Sequence, residues 1–448
     1  MKSALPFRAQ ALVSFPFFAF GLASFAALLA WLGMRPEVVL EAPRAAPPLA
    51  FAHLAILGWL LTFVFGAAYQ LIPVIAETRL WSRGLAYAHL ALHVVATPRM
   101  LAALVQGDFA AVSRWGAVVA FGVVLGVVNL LLTASRRSRW SPDNIGLLFA
   151  IFWLTMTVAL GVVLALARVG GVVDIAPDRL LRLHMVCGIV GFFIGALVSV
   201  AFKLVPMFLL SAVRTHARAW AAVVLLNAGL ALAVPGLLGE LRWMIAASAA
   251  AIAAGLLVFL VEMGVLVARR LRPLDWPLRS FFLGVLMLIP TALIAIAGVL
   301  DRSGFPMPGP SRPEFAVFML GLFAVFTPCV LGMAGKIVPF LAWQWRYSGH
   351  LGRARVPLVS ELFNNTLLGV QCAGHAFSIV AIACAVWTES TVWIHIGLGG
   401  LFLAILSYGT NVVLLARHLI HPRLTPLVPR VAVVAPRAAG VQPAVQPL

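Results

Sequence analysis

Ten histidines are distributed over the 448 residues, and imidazole is the side chain most used to bind haem iron and copper. Three of them, His53, His184 and His375, lie inside long apolar stretches, where an ionisable group is costly and marks either a site or a buried partner. His89 and His93 are one helical turn apart, so their rings share a face and can either hold a metal ion together or pack against a neighbouring helix. Around His375, the residues Glu361, Asn364, Gln371 and Ser378 fall on one helical stripe, about 21 Å long from Glu361 to His375. The stripe reads as a hydrated path ending at His375, itself then a haem or metal ligand, or as a buried hydrogen-bond seam between helices. Lys203 and Lys336 also interrupt apolar stretches, as members of a polar path or as anchors that snorkel to the membrane interface. Glu262 pairs most simply with Arg269 and Arg270, one to two turns further on. His395 is placed to approach His53 or His184.

These residues are carried by a chain that is 63% hydrophobic and only 10% charged, with a mean hydropathy of +1.05. Soluble domains run at about 45–50% apolar and about 25% charged, so a soluble enzyme, a secreted disulfide scaffold and a disordered regulator are excluded. The expected fold class is an all-α membrane protein. A crossing needs about 20 mostly apolar residues, and twelve such stretches occur, near 11–33, 49–76, 84–105, 112–134, 145–169, 180–210, 219–238, 242–268, 279–300, 314–341, 359–387 and 392–416. The net charge of +18 is spread singly over short loops, which points to membrane topology and away from nucleic acid. The N-terminus, the even-numbered loops and the C-terminal tail hold 20 basic residues against 9 in the odd-numbered loops. Both termini are therefore expected in the cytoplasm, as for a bacterial inner-membrane protein.

Three spans end alike, in Ala68-Tyr-Gln-Leu-Ile-Pro73, Ala201-Phe-Lys-Leu-Val-Pro206 and Ala334-Gly-Lys-Ile-Val-Pro339, and the prolines are 133 residues apart both times. Those spans are numbers two, six and ten. A recurrence every four helices predicts three four-helix arcs about a pseudo-threefold axis, with repeat units near 11–134, 145–268 and 279–416. Residues 1–420 are expected to form a single membrane domain. Residues 421–448, rich in Pro, Ala and Val, are expected to form a disordered cytoplasmic tail.

Twelve spans in three arcs, with the phrase His53-Leu-Ala-Ile-Leu-Gly58-Trp59 in span two, resemble subunit I of the haem–copper oxidases. The likeness is greatest to the C-family cytochrome c oxidases and the nitric oxide reductases, and it covers residues 11–416 at the level of topology. It implies an oxidoreductase fold of the respiratory chain, with haem b and copper as cofactors and a cytochrome or another respiratory subunit as partner. It also places a haem ligand at His53 and a copper ligand at His184. The chain departs from the family where spans seven and ten, 219–238 and 314–341, contain no histidine, so the usual binuclear centre is not expected. The remaining readings are electron transfer or gas sensing with one haem or metal, a cofactor-free transporter, and a non-catalytic partner of a respiratory complex. His53 lies 20 residues before its proline and His184 lies 22; two residues turn a helix by about 200°, so they face alike only if a bulge intervenes.

Overall fold

The computed structural model describes residues 5–136, 140–170, 175–213, 215–302 and 307–426. Most of the expected tail, 427–448, lies outside the described residues. Twelve helices long and apolar enough to cross a membrane run over Leu12–Met34, Ala46–Val74, Arg83–Gln106, Phe109–Ala134, Pro142–Gly170, Pro177–Leu209, Ala217–Gly239, Arg242–Ala268, Trp276–Arg302, Pro313–Arg346, Asn365–Thr388 and Thr391–Ile420. The third holds as a helix through Pro98. The only strands among the described residues pair 354–355 with 425–426. The chain is thus an all-α membrane protein of twelve spans.

Within each set of four, the first span packs on the second and the third on the fourth, and the sets join through spans four and five, eight and nine, and twelve and one. The result is a closed ring of three quartets. Spans two, six and ten line its centre around a cavity of about 140 Å³, whose wall is hydrocarbon and aromatic apart from Cys329 and Met333. Span ten is the central post, with 78% of its apolar window buried.

The repeat extends beyond the prolines. Each inner span contains a π-helical segment, Leu54–Leu61, Cys187–Ile194 and Leu320–Phe326, and their first residues keep the 133-residue spacing. A π turn frees a carbonyl from the ordinary ladder and recurs at functional sites. Thr62 and Thr327 open the α-helices that follow, and each hydroxyl donates to a carbonyl five residues back, Leu57 at 2.7 Å and Leu322 at 2.8 Å. Gly58 and Gly191 occupy one register inside these segments. A Cβ at Gly191 would stand 2.6 Å from the Trp153 ring, so the close approach of spans five and six requires the glycine.

A second repeated device ties the outer hairpins. Asn129 in span four accepts from the Ser82 N–H at 3.0 Å and donates to the Ser82 carbonyl at 2.7 Å. Asn411 in span twelve does the same to Asn364, at 2.7 and 3.2 Å. Ser82 and Asn364 are the N-cap residues of spans three and eleven, and both side chains also accept from the first turn. In the second quartet the corresponding contact is an ion pair of Arg218 with Glu262, which corrects the expected partners Arg269 and Arg270. Asn129→Ala and Asn411→Ala are each expected to cost about 1–3 kcal/mol, read as a lower thermal midpoint of the detergent-purified protein.

Candidate functional site

His53 and His184 sit near the end of the bundle opposite the repeated prolines. An ion pair of Arg44 with Asp178 at 2.8 Å joins the approaches to their two spans. Each ring is held through Nδ1, which donates to the Leu49 carbonyl at 2.7 Å for His53 and to the Thr157 carbonyl at 2.9 Å for His184. Each Nε2 then carries a free lone pair, the form in which imidazole binds a metal. Gly161 on span five makes room for the His184 ring, since a Cβ there would lie 3.2 Å from its Cε1. The two rings lie within electrostatic range of each other. The bulges that the offset demanded are present, but both begin after the histidines and in the same register. The rings therefore meet across the seam between spans two and six without being repeat mates.

His375 is fully buried. Its Nδ1 lies 3.4 Å from the Ser280 hydroxyl, which itself donates to the Pro328 carbonyl at 3.1 Å, and its Nε2 has no partner. Gln371 and Ser378 share its buried face and also carry unpaired oxygens. The expected stripe is shortened at its outer end, because span eleven begins at Asn365. Glu361 lies in an exposed 3₁₀ turn and accepts from the Leu358 N–H, while Asn364 caps the helix. Neither belongs to the helical face of His375, because the capping side chain ends the helix before the stripe does. The structure does not bring His375 together with His53 or His184 by any contact among the described residues.

His89 and His93 are fully buried between spans one to four. Tyr69 lies 2.9 Å from His89 Nδ1, and Nε2 of His93 faces the Thr62 hydroxyl and the Leu57 carbonyl. Among the described residues, no group of three or more His, Cys, Asp or Glu side chains is placed to hold a metal ion. Lys336 forms an ion pair with Asp275 and lies over the Phe208 ring. Lys203 is partly buried and has no ion-pair partner among the described residues. Their positions at the ends of spans six and ten are those of interfacial anchors. His395, exposed at the start of span twelve, reaches the Gly33 carbonyl at 3.2 Å and neither of the two paired histidines.

Sequence reasoning missed a polar station that recurs in the third helix of every quartet. Counting eleven residues from the N-cap residues Ser82, His216 and Asn364 leads to His93, Asn227 and His375. Asn227 accepts from the Trp153 indole at 2.8 Å, so all three face the first or second helix of their own quartet. The signal was available once the helix starts were aligned on their caps.

No protein-family model matches the chain, and no curated protein matches it. Among solved structures it is similar to a chain of a heme-copper terminal oxidase dimer determined by cryo-EM, with a TM-score of 0.64 and 12% identity, over 94% of this chain and 85% of that one. The protein therefore has the twelve-span fold of a heme-copper terminal oxidase.

Proposed function

We propose that the chain is a diverged relative of haem–copper oxidase subunit I that holds one metal ion, copper, between His53 and His184. Its role is electron transfer or sensing of a diatomic gas, without the dioxygen-reducing binuclear centre. The observation that carries this reading is the pair of rings with both Nδ1 atoms committed to backbone carbonyls and both Nε2 lone pairs free. Neutral imidazoles suit copper, and copper bound there would supply one-electron chemistry at the outer face.

Haem fits the residues less well. Span ten presents Met319 at the repeat register of His53. The seam between spans two and ten is closed by the Phe51–Phe318 ring contact and by the Trp59 indole on Thr327. The central cavity offers an iron no imidazole. The same hydrocarbon wall gives a polar solute almost nothing to bond, which weighs against a transporter.

In this reading residues 1–420 form one domain of three repeat units in a bacterial inner membrane. The histidine pair faces the periplasm, where a cytochrome or another respiratory subunit docks.

The test is metal analysis and a visible spectrum of the full-length protein expressed with copper and haem in supply. About one copper per chain is expected, lost in His53→Ala and in His184→Ala while both variants elute as the parent does. A Soret band that depends on His53 would replace copper by haem. A colourless, metal-free protein would overturn the proposal.

A further inference from the structure

Spans one to four enclose a chain of polar side chains that the copper proposal does not use. It starts where Asn129 clamps the Ser82 backbone, at the edge that the arginine count assigns to the cytoplasm. The Asn129 amide also reaches the Tyr69 hydroxyl, and Tyr69 meets His89 Nδ1 at 2.9 Å. Nearer mid-membrane, His93 Nε2 stands 3.0 Å from the Thr62 hydroxyl and 3.1 Å from the Leu57 carbonyl. Asn129, Tyr69, His89 and His93 are all fully buried.

The partners fix where the protons sit. The Thr62 hydroxyl donates to the Leu57 carbonyl, so both groups facing His93 Nε2 accept, and that nitrogen carries the ring proton. His93 Nδ1 is left as a bare acceptor. The Tyr69 oxygen receives an Asn129 N–H, so its own proton points at His89 Nδ1, and His89 carries its ring proton on Nε2. A donor, His89 Nε2, and an acceptor, His93 Nδ1, thus remain, both buried and without a protein partner. Their rings are 5.7 Å apart, edge to face, and two hydrogen bonds through one water of about 2.8 Å each span such a gap. Thr97, one turn further along the same face, adds a buried hydroxyl that also has no partner.

We propose that one ordered water binds between His89 Nε2 and His93 Nδ1, and that Tyr69, His89, this water and His93 form a proton relay from the cytoplasmic edge to mid-membrane. Tyr69 passes its proton to His89 Nδ1, His89 releases its Nε2 proton to the water, and the water passes one to His93 Nδ1. His93 becomes an imidazolium, the Tyr69 oxygen is reprotonated from the cytoplasmic side, and nothing is oxidised or reduced. The ring of His89 has room because position 126 is glycine; a Cβ there would lie 2.7 Å from Nδ1.

The test uses metal-stripped, full-length protein with ¹⁵N-labelled histidine in lipid nanodiscs, observed by solid-state NMR. Both rings are expected as neutral Nε2–H tautomers, with magnetisation transfer from water to His89 and His93 and ring protons that exchange in D₂O within the mixing time. Tyr69→Phe slows the exchange at both rings, and His93→Phe abolishes the water contact of His89. Ring protons that survive a day in D₂O with no water contact would show a dry gap and overturn the relay. Zinc or cuprous copper shifting both nitrogens at one equivalent would replace the water by a metal and overturn it likewise. His53→Ala leaves the spectrum of these two rings unchanged, so failure of the copper reading does not touch this result.

Discussion

Gly332→Leu is expected to lower the stability of the folded bundle by about 3 kcal/mol or more, at or above the upper end of overpacking penalties. A Cβ at position 332 in span ten would stand 2.7 Å from the Pro277 carbonyl and 2.8 Å from the Phe281 nitrogen in span nine. Both obstacles are backbone, so no side-chain rotation can relieve them. Gly284, on the facing helix, is equally closed in, with the Val325 carbonyl and the Cys329 sulfur each 2.5 Å from its would-be Cβ. Spans nine and ten therefore meet through small residues on both sides, as membrane helices do where backbones must approach closely. The matched control is Gly264→Leu in span eight, which meets nothing within 4 Å and should stay within about 0.5 kcal/mol of the parent. Thermal unfolding followed by size exclusion in detergent reads both. An unchanged midpoint for Gly332→Leu would mean that the two spans do not pack as described.

The architecture was legible because bilayer thickness sets span length, and because Pro73, Pro206 and Pro339 report the quartet repeat at one residue type. The π-helical segments repeat at the same spacing and leave a faint trace, small residues at Gly58, Gly191 and Ala324. Hydropathy does not record them, since an apolar stretch reads the same in α and π geometry. Site residues were legible as types and much less as neighbours. His53 and His184 are out of register by two residues, and their approach depends on how spans two and six lean together, which no local pattern encodes. Tyr69 meets His89 for the same reason. Spacing misled at Glu361, where helical periodicity continued through an N-cap; the Asn364 side chain accepting from Thr366 and Leu367 was the stop signal. At Glu262 the nearest cations in sequence were the wrong ones, because the hairpin of spans seven and eight brings Arg218 from 44 residues upstream.

Arg218→Ala should therefore destabilise the second quartet while leaving the first and third intact. Glu262 is 5% exposed, and a carboxylate in that position loses its counterion with no water to replace it. Removing one partner of a buried pair costs about 3–5 kcal/mol, but the Arg218 side chain is 38% exposed, so screening reduces the expected loss to about 1–3 kcal/mol. The double variant Arg218→Ala/Glu262→Leu removes the stranded charge together with its partner, and should recover most of the midpoint. That recovery separates charge from packing: if Arg218 acted through its aliphatic stem on span eight, the double variant would be no better than the single one. Asn129 and Asn411 make the corresponding tie with neutral groups, so their alanine variants should respond weakly to salt. Arg218→Ala, in contrast, should narrow its gap to the parent as ionic strength rises, because the pair that the parent keeps is itself partly screened.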